Sequence, residues 1–170
     1  RPFPSFLENY IKDKPGKIVC DRGNNVGTHR GLSFYTLGQR QGLGIGGLKN
    51  YDERPWYVVE KKLSENILVV AQGNDNQKLF EKKLSVNSIN WIYEPNLNKP
   101  IKLEAKIRYR QDDQECILSK KGKTFSVEFM KPQRAITPGQ SIVFYQDKVC
   151  LGGGEIYKSW LKNHFYQYLP

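Results

Sequence analysis

Residues 101–110, IKLEAKIRYR, alternate without a break. Ile101, Leu103, Ala105, Ile107 and Tyr109 fall on one side of an extended chain, and Lys102, Glu104, Lys106, Arg108 and Arg110 on the other. Successive side chains of a strand point to opposite faces, so the pattern predicts a half-buried antiparallel strand with a largely basic outer face. A helix would scatter the same residues around its circumference. The neighbouring sequence has the same grain. Residues 116–119 and 125–129 pair across Lys120-Lys121-Gly122-Lys123, and residues 142–145 and 149–151 pair across Gln146-Asp147-Lys148. Strands this short and this closely spaced predict a small closed antiparallel barrel.

The earlier part also reads as β-rich. A short helix is expected over 5–13, capped by Ser5, with Phe6, Leu7, Tyr10 and Ile11 on one face and Pro15-Gly16 as its stop. Residues 17–21 and 26–28 form a hairpin about Gly23-Asn24-Asn25, and 56–61 and 67–72 flank a turn at Ser64-Glu65-Asn66. Residues 84–91 predict a further strand, and 96–100 a loop. The organisation expected is a central domain over 1–86, a C-terminal β-barrel over 87–156 and an aromatic-rich tail over 157–170 that is a candidate docking helix. The fold class is mainly β: a small β-rich central domain with a short N-terminal helix, then a small antiparallel β-barrel.

Gly42-Leu43-Gly44-Ile45-Gly46-Gly47 satisfies G-x-G-x-x-G. That fingerprint binds a dinucleotide only where a strand precedes it and a helix follows, because the pyrophosphate rests on the helix N-terminus. Residues 48–55 have no 3.6-residue apolar period and run into Pro55, after which Trp56-Tyr57-Val58-Val59 reads as strand. Glu60 and Glu65 lie near the place of the ribose-binding acid but close no βαβ unit. The glycines are expected to serve a loop that needs positive φ or close backbone approach. A nucleotide-binding oxidoreductase would rest on this hexamer alone.

The chain has 27 Lys and Arg against 17 Asp and Glu, a formal net charge of +10, which makes nucleic acid the first candidate partner. Residues 1–86 carry 14 basic and 9 acidic residues, and 87–170 carry 13 and 8, so each part is +5. Any basic surface is therefore made by the fold and not by a tail. Lys and Arg suit phosphates, and aromatic faces suit unstacked bases, although a barrel core also takes aromatics. Cys20, Cys116 and Cys150 are odd in number and widely spaced, which argues for a reducing compartment over a disulfide framework. With only His29 and His164, no metal site is expected. No apolar run approaches the ~18–20 residues of a membrane span. There is no signal-peptide pattern, and a cytoplasmic protein without a membrane partner is expected. The chain opens Arg-Pro-Phe-Pro without an initiator Met, as a processed chain or a piece of a longer one would.

Several segments together resemble one family. They are Phe6-Leu7 with the helix after it, Pro15-Gly16, TLGQRQGLGIGG at 36–47, PWYVV at 55–59 and NILVVAQG at 66–73. Arg108-Tyr109-Arg110-Gln111, Thr137-Pro138-Gly139-Gln140, and VFY at 143–145 with VCLGGG at 149–154 complete the set. Their order and spacing resemble the C-terminal half of the tRNA-specific 2-thiouridylases (MnmA-type), over residues 1 to about 156. The resemblance implies an ATP-dependent sulfurtransferase that makes 2-thiouridine at the wobble position of the tRNAs for Lys, Glu and Gln. In that family an N-terminal ATP-pyrophosphatase domain uses ATP and Mg2+ to adenylate the uridine C2 oxygen. A cysteine persulfide, charged by a sulfur-donor protein, then delivers sulfur, and AMP leaves. An adenylate leaves more readily than a carbonyl oxygen, and a thiolate is a strong nucleophile.

This sequence departs from the family in lacking the Ser-Gly-Gly-x-Asp-Ser pyrophosphate loop and both catalytic cysteines; Cys20, Cys116 and Cys150 match neither position. The resemblance thus implies no catalytic residue, no bound cofactor and no sulfurtransferase activity for this chain by itself. It implies tRNA contact through Arg108, Tyr109 and Gln140, with tRNA, the N-terminal catalytic domain and a persulfide donor as partners. Alternation agrees on Arg108 and adds Arg110, the competing reading for both being a solvated strand face. It puts Tyr109 on the apolar side, with a strand end near enough to release it. Gln39 and Arg40 are candidates for contact with RNA or the catalytic domain, or for bracing the glycine loop. The alternative function is a free-standing RNA-binding or translation-factor-like β-barrel.

Overall fold

A computed structural model describes residues 14–159. The expected helix over 5–13 and most of the tail lie outside the described residues. The chain divides into two compact units between Leu79 and Phe80.

The first unit is built on four strands: β1 (Gly16–Cys20), β2 (Asn25–His29), β3 (Trp56–Lys62) and β4 (Ile67–Gln72). The sheet order is β2-β1-β4-β3. Each sequence-adjacent pair is an antiparallel hairpin, and the two hairpins join through a parallel β1–β4 pairing that sets Ile18 opposite Leu68 and Cys20 opposite Val70. His29, 2% exposed, ties β2 to the β3–β4 turn. Its Nδ1 accepts the Gly31 N–H at 3.1 Å, which leaves Nε2 to donate to the Asn66 carbonyl at 3.1 Å. Gly16 is obligatory beside this bond, because a Cβ there would stand 2.2 Å from the Asn66 oxygen. The core under the sheet holds Ile18, Val26, Val58, Leu68 and Val70, with Leu32, Tyr35 and Leu43 delivered by the long β2–β3 connection.

The second unit is a closed six-stranded barrel in the order β10-β5-β8-β7-β6-β9. Its strands are β5 (Phe80–Trp91), β6 (Ile101–Lys106), β7 (Gln114–Lys121), β8 (Thr124–Arg134), β9 (Ser141–Gln146) and β10 (Val149–Ser159). All six pairings are antiparallel. The β6–β7 and β8–β9 loops therefore leave one end of the barrel, and the β7–β8 and β9–β10 turns leave the other. Alternation fills the interior with Leu84, Val86, Leu103, Ala105, Cys116, Leu118, Phe125, Val127, Phe129, Ile142 and Phe144. Trp91 closes it, its ring 6.3 Å from Phe125 and 6.1 Å from Phe144.

β10 coils between β5 and β9 on three successive glycines. A Cβ on Gly152 would lie 2.3 Å from the Asn90 oxygen, on Gly153 2.7 Å from the Ile142 oxygen, and on Gly154 2.2 Å from the Ser88 oxygen. Register shifts on both sides of this stretch mark the bend.

The closed antiparallel barrel appears as expected, but its elements differ in extent. β5 begins at Phe80, so the boundary placed near residue 86 falls inside a barrel strand. β6 ends at Lys106 and not at residue 110. The Ile107 N–H goes to Gln111 Oε1 at 3.2 Å instead of to the ladder. Tyr109, expected on the apolar face by alternation, is consequently 96% exposed. Gly154→Ala is expected to destabilise the barrel by about 1–3 kcal/mol, measured as a lowered midpoint of thermal or denaturant unfolding.

Candidate nucleic-acid interface

The β6–β7 loop, residues 107–113, carries Arg108, Tyr109 and Arg110. A chain of glutamines fixes it. Gln111 takes the Ile107 amide on Oε1 and donates Nε2 to Gln133 Oε1. Gln133, 3% exposed on β8, donates to Gln114 Oε1 at 3.2 Å and to the Lys131 carbonyl at 2.9 Å. Gln114 returns to the loop through the Asp112 carbonyl at 3.1 Å. Buried amides are costly when unpaired, so this set holds the loop in one shape. It thrusts Tyr109 outward between two arginines. No periodicity in the sequence announced the network, because its members come from two separate stretches, 107–114 and 131–133.

Arg108 does more than face solvent. Its Nη2 donates to the Arg134 carbonyl at 2.8 Å and reaches the Ala135 carbonyl at 3.4 Å. Burial, and secondarily the charge of Arg134, lower its pKa below an arginine's ordinary value, but a guanidinium stays charged in proteins. The same Ala135 carbonyl accepts Thr137 Oγ1–H at 3.1 Å. Arg108 thus ties the β6–β7 loop to the start of the β8–β9 loop, which ends in Thr137-Pro138-Gly139-Gln140. Gln140 is held by its backbone, with its N–H on the Thr137 carbonyl at 3.2 Å and its carbonyl accepting the Ile156 N–H at 2.8 Å. Among the described residues its Oε1 is the buried side-chain polar atom without a hydrogen-bond partner. The structure therefore brings Arg108, Tyr109, Arg110 and Gln140 to one end of the barrel.

Gln39 and Arg40 belong to the first unit. Gln39 braces its own loop: Oε1 accepts the Thr36 N–H and Nε2 donates to the Gln41 carbonyl, both at 2.9 Å. Its backbone and that of Gly38 pair with Val58 of β3. Arg40 is exposed.

The basic outer face expected on β6 is neutralised. Lys102 pairs with Glu115 at 2.8 Å and Lys106 with Asp113 at 3.2 Å. Unlike Lys102 and Lys106, the loop arginines Arg108 and Arg110 have no carboxylate partner among the described residues. Hydrogen bonding to Lys102 and its charge hold the Glu115 carboxyl low. The three cysteines are free, with Cys20 and Cys116 buried and Cys150 half-buried. Burial, aided by Glu104, pushes the Cys116 thiol up to about 12, so it is inert. The glycine hexamer runs through turns into β3 with no helix after it, so the described residues do not form the strand–loop–helix seat of a nucleotide phosphate. No group of three or more His, Cys, Asp and Glu among them is placed to hold a metal, and no helix among them is long and apolar enough to cross a membrane.

Both units match domain families of the barrel type. Residues 81–156 match the aminomethyltransferase beta-barrel domain, and residues 4–72 match the tRNA methyl transferase PRC-barrel domain. Among curated relatives, the tRNA-specific 2-thiouridylase MnmA of Stutzerimonas stutzeri is 50% identical over 156 residues, which is 92% of this chain and 42% of the relative. The MnmA of Hahella chejuensis is 52% identical over 156 residues, 92% of this chain and 43% of the relative. That of Pseudomonas fluorescens is 48% identical over 162 residues, 94% and 43%. The chain belongs to the tRNA-specific 2-thiouridylase family and corresponds to its C-terminal domains. It spans about two fifths of the length of the relatives it matches.

Two outcomes follow, one from the loop and one from the strands that flank it. Gln133→Leu removes the partner of Gln111 Nε2 and of Gln114 Oε1, and is expected to cost about 1–3 kcal/mol and to speed hydrogen exchange at the Ile107 amide. The Glu115 carboxyl is expected to titrate below 4.5, the ordinary glutamate value, in an NMR pH series. Its folded pKa is depressed, so its ion pair supports the fold at neutral pH. That support fades as pH falls through the lowered value, and Lys102→Ala should return the midpoint upward.

Proposed function

We propose that this chain is the tRNA-holding part of an enzyme that thiolates the wobble uridine of tRNA. The observation that carries this reading is Tyr109, a tyrosine 96% exposed on a braced loop between two arginines. Burying an aromatic ring is ordinarily favourable, so a structure that fixes one in water has a use for its face. An unstacked base accepts such a face, and flanking guanidiniums accept phosphates or stack in turn. Arg108 has one nitrogen committed to the β8–β9 loop, and its remaining N–H groups serve RNA. Gln140, half-buried at the same end of the barrel, is the third contact in this reading, made by the exposed part of the residue because its Oε1 is buried.

In this reading the adenylation and sulfur transfer belong to a catalytic domain with its own ATP, Mg2+ and cysteines, supplied with persulfide by a donor protein. The tRNAs for Lys, Glu and Gln are its substrates. No described residue here fits the nucleotide, so no catalytic step is assigned to this chain, and alone it is expected to thiolate nothing. Its contribution is proximity: presenting the anticodon arm in a fixed pose lowers the entropic part of the barrier.

The test is a binding titration of the chain against a Glu-type tRNA at two salt concentrations. Tyr109→Ala is expected to weaken binding by about 1–3 kcal/mol with little change in salt dependence. Arg110→Ala should reduce the salt slope by about one. Arg108→Ala is a poorer probe because it also unties two loops. Wild-type affinity in both Tyr109→Ala and Arg110→Ala would sink the proposal.

A further inference from the structure

The glycine stretch 42–47 is not used by the barrel reading, and the fold gives it an unusual form. Leu43 is buried in the core of the first unit, and Ile45 and Leu48 pack against it. The intervening outward positions are Gly42, Gly44 and Gly46, followed by Gly47, all exposed. The segment is an irregular loop in which burial alternates, and its outer row has no side chains. It walls a cleft of about 400 Å3 whose other side is Tyr51, Arg54, Pro55 and Trp56.

Packing within the chain does not explain this bare row. A Cβ on Gly44, Gly46 or Gly47 would meet nothing within 4 Å, and one on Gly42 would meet only Gln39 Nε2 at 3.9 Å. Positive φ values of 75°, 64° and 67° account for Gly42, Gly44 and Gly47. Gly46 has neither a positive φ nor a crowded neighbour. Among the described residues, the N–H groups from Gly44 to Gly47 have no protein acceptor. Arg40 stands at the cleft without an ion pair or hydrogen bond among the described residues. Arg54 is held by Asp52 at 2.7 Å, and Glu53 is the remaining acidic residue lining the cleft.

We infer that this cleft is a second RNA contact, in which the glycine edge lets a phosphodiester approach the backbone while Arg40 neutralises it. Open N–H groups donate to phosphate oxygens, and a side chain at 46 would hold the strand away. Tyr51 and Trp56, rings 5.1 Å apart, give the opposite wall an aromatic surface. The inference rests on the tRNA reading above.

The experiment is tRNA titration of the whole chain carrying Gly46→Leu or Arg40→Gln, with Tyr109→Ala alongside and unfolding midpoints for each. Expected are unchanged midpoints, a loss of threefold or more in affinity for Gly46→Leu (threefold being about 0.6 kcal/mol), and a salt slope smaller by about one for Arg40→Gln. If Tyr109→Ala weakens binding but both cleft variants bind as wild type, the cleft inference fails and the barrel reading stands. If the cleft variants weaken binding and neither Tyr109→Ala nor Arg110→Ala does, the barrel reading fails instead. A chain that binds no tRNA overturns both.

Discussion

The barrel depends on one constraint, the contact of β10 with both of its neighbours. Six strands close only if the seam strand bends while its backbone lies against two others, and Gly152-Gly153-Gly154 removes the three Cβ atoms that would clash where it bends. Closure fixes which loops share an end. Because the strands alternate in direction, closure delivers the β6–β7 and β8–β9 loops to the same rim, where Arg108 can reach the Arg134 carbonyl. The candidate interface is thus a consequence of the seam, even though it shares no residue with it.

At that rim, recognition and architecture overlap in a single side chain. Arg108 joins two loops through backbone carbonyls, while Tyr109 and Arg110 beside it make no such tie among the described residues. The glutamine set beneath them supplies rigidity without charge, which leaves the local field to the arginines. On the strand face the lysines have carboxylate partners at 2.8 and 3.2 Å. The net charge of +10 therefore says less about binding than the placement of a few unmatched cations.

Much of the β architecture was legible because strands announce themselves by alternation. Residues 101–106, 116–118, 125–129 and 142–144 all bury alternate positions as the two-residue period requires, with Ile117 and Val143 as apolar residues on the outer face. What alternation missed was where a strand stops. Residues 107–110 keep the pattern, yet Gln111, itself anchored on Gln133 of β8, captures the Ile107 amide and the chain turns, so a side-chain network overrules the local period. The same limit hid the β1–β4 pairing, since parallel neighbours far apart in sequence leave no local mark. Arg108, Tyr109 and Gln140 could be singled out by motif resemblance, but the bond that joins their loops could not. The glycine hexamer shows the opposite case: its sequence imitates a nucleotide fingerprint, and only the absence of a following helix separates the two.

The parallel pairing in the first unit has a consequence for synthesis. β1 is an inner strand, yet one of its two partners, β4, ends at Gln72. Until that residue has left the ribosome, the β1–β2 hairpin has an unpaired edge of Ile18, Val19 and Cys20, and a two-stranded hairpin is marginal in water. This unit therefore cannot fold progressively from its first strand. It must wait for its last, and in that interval the nascent chain exposes an apolar edge of the kind chaperones bind.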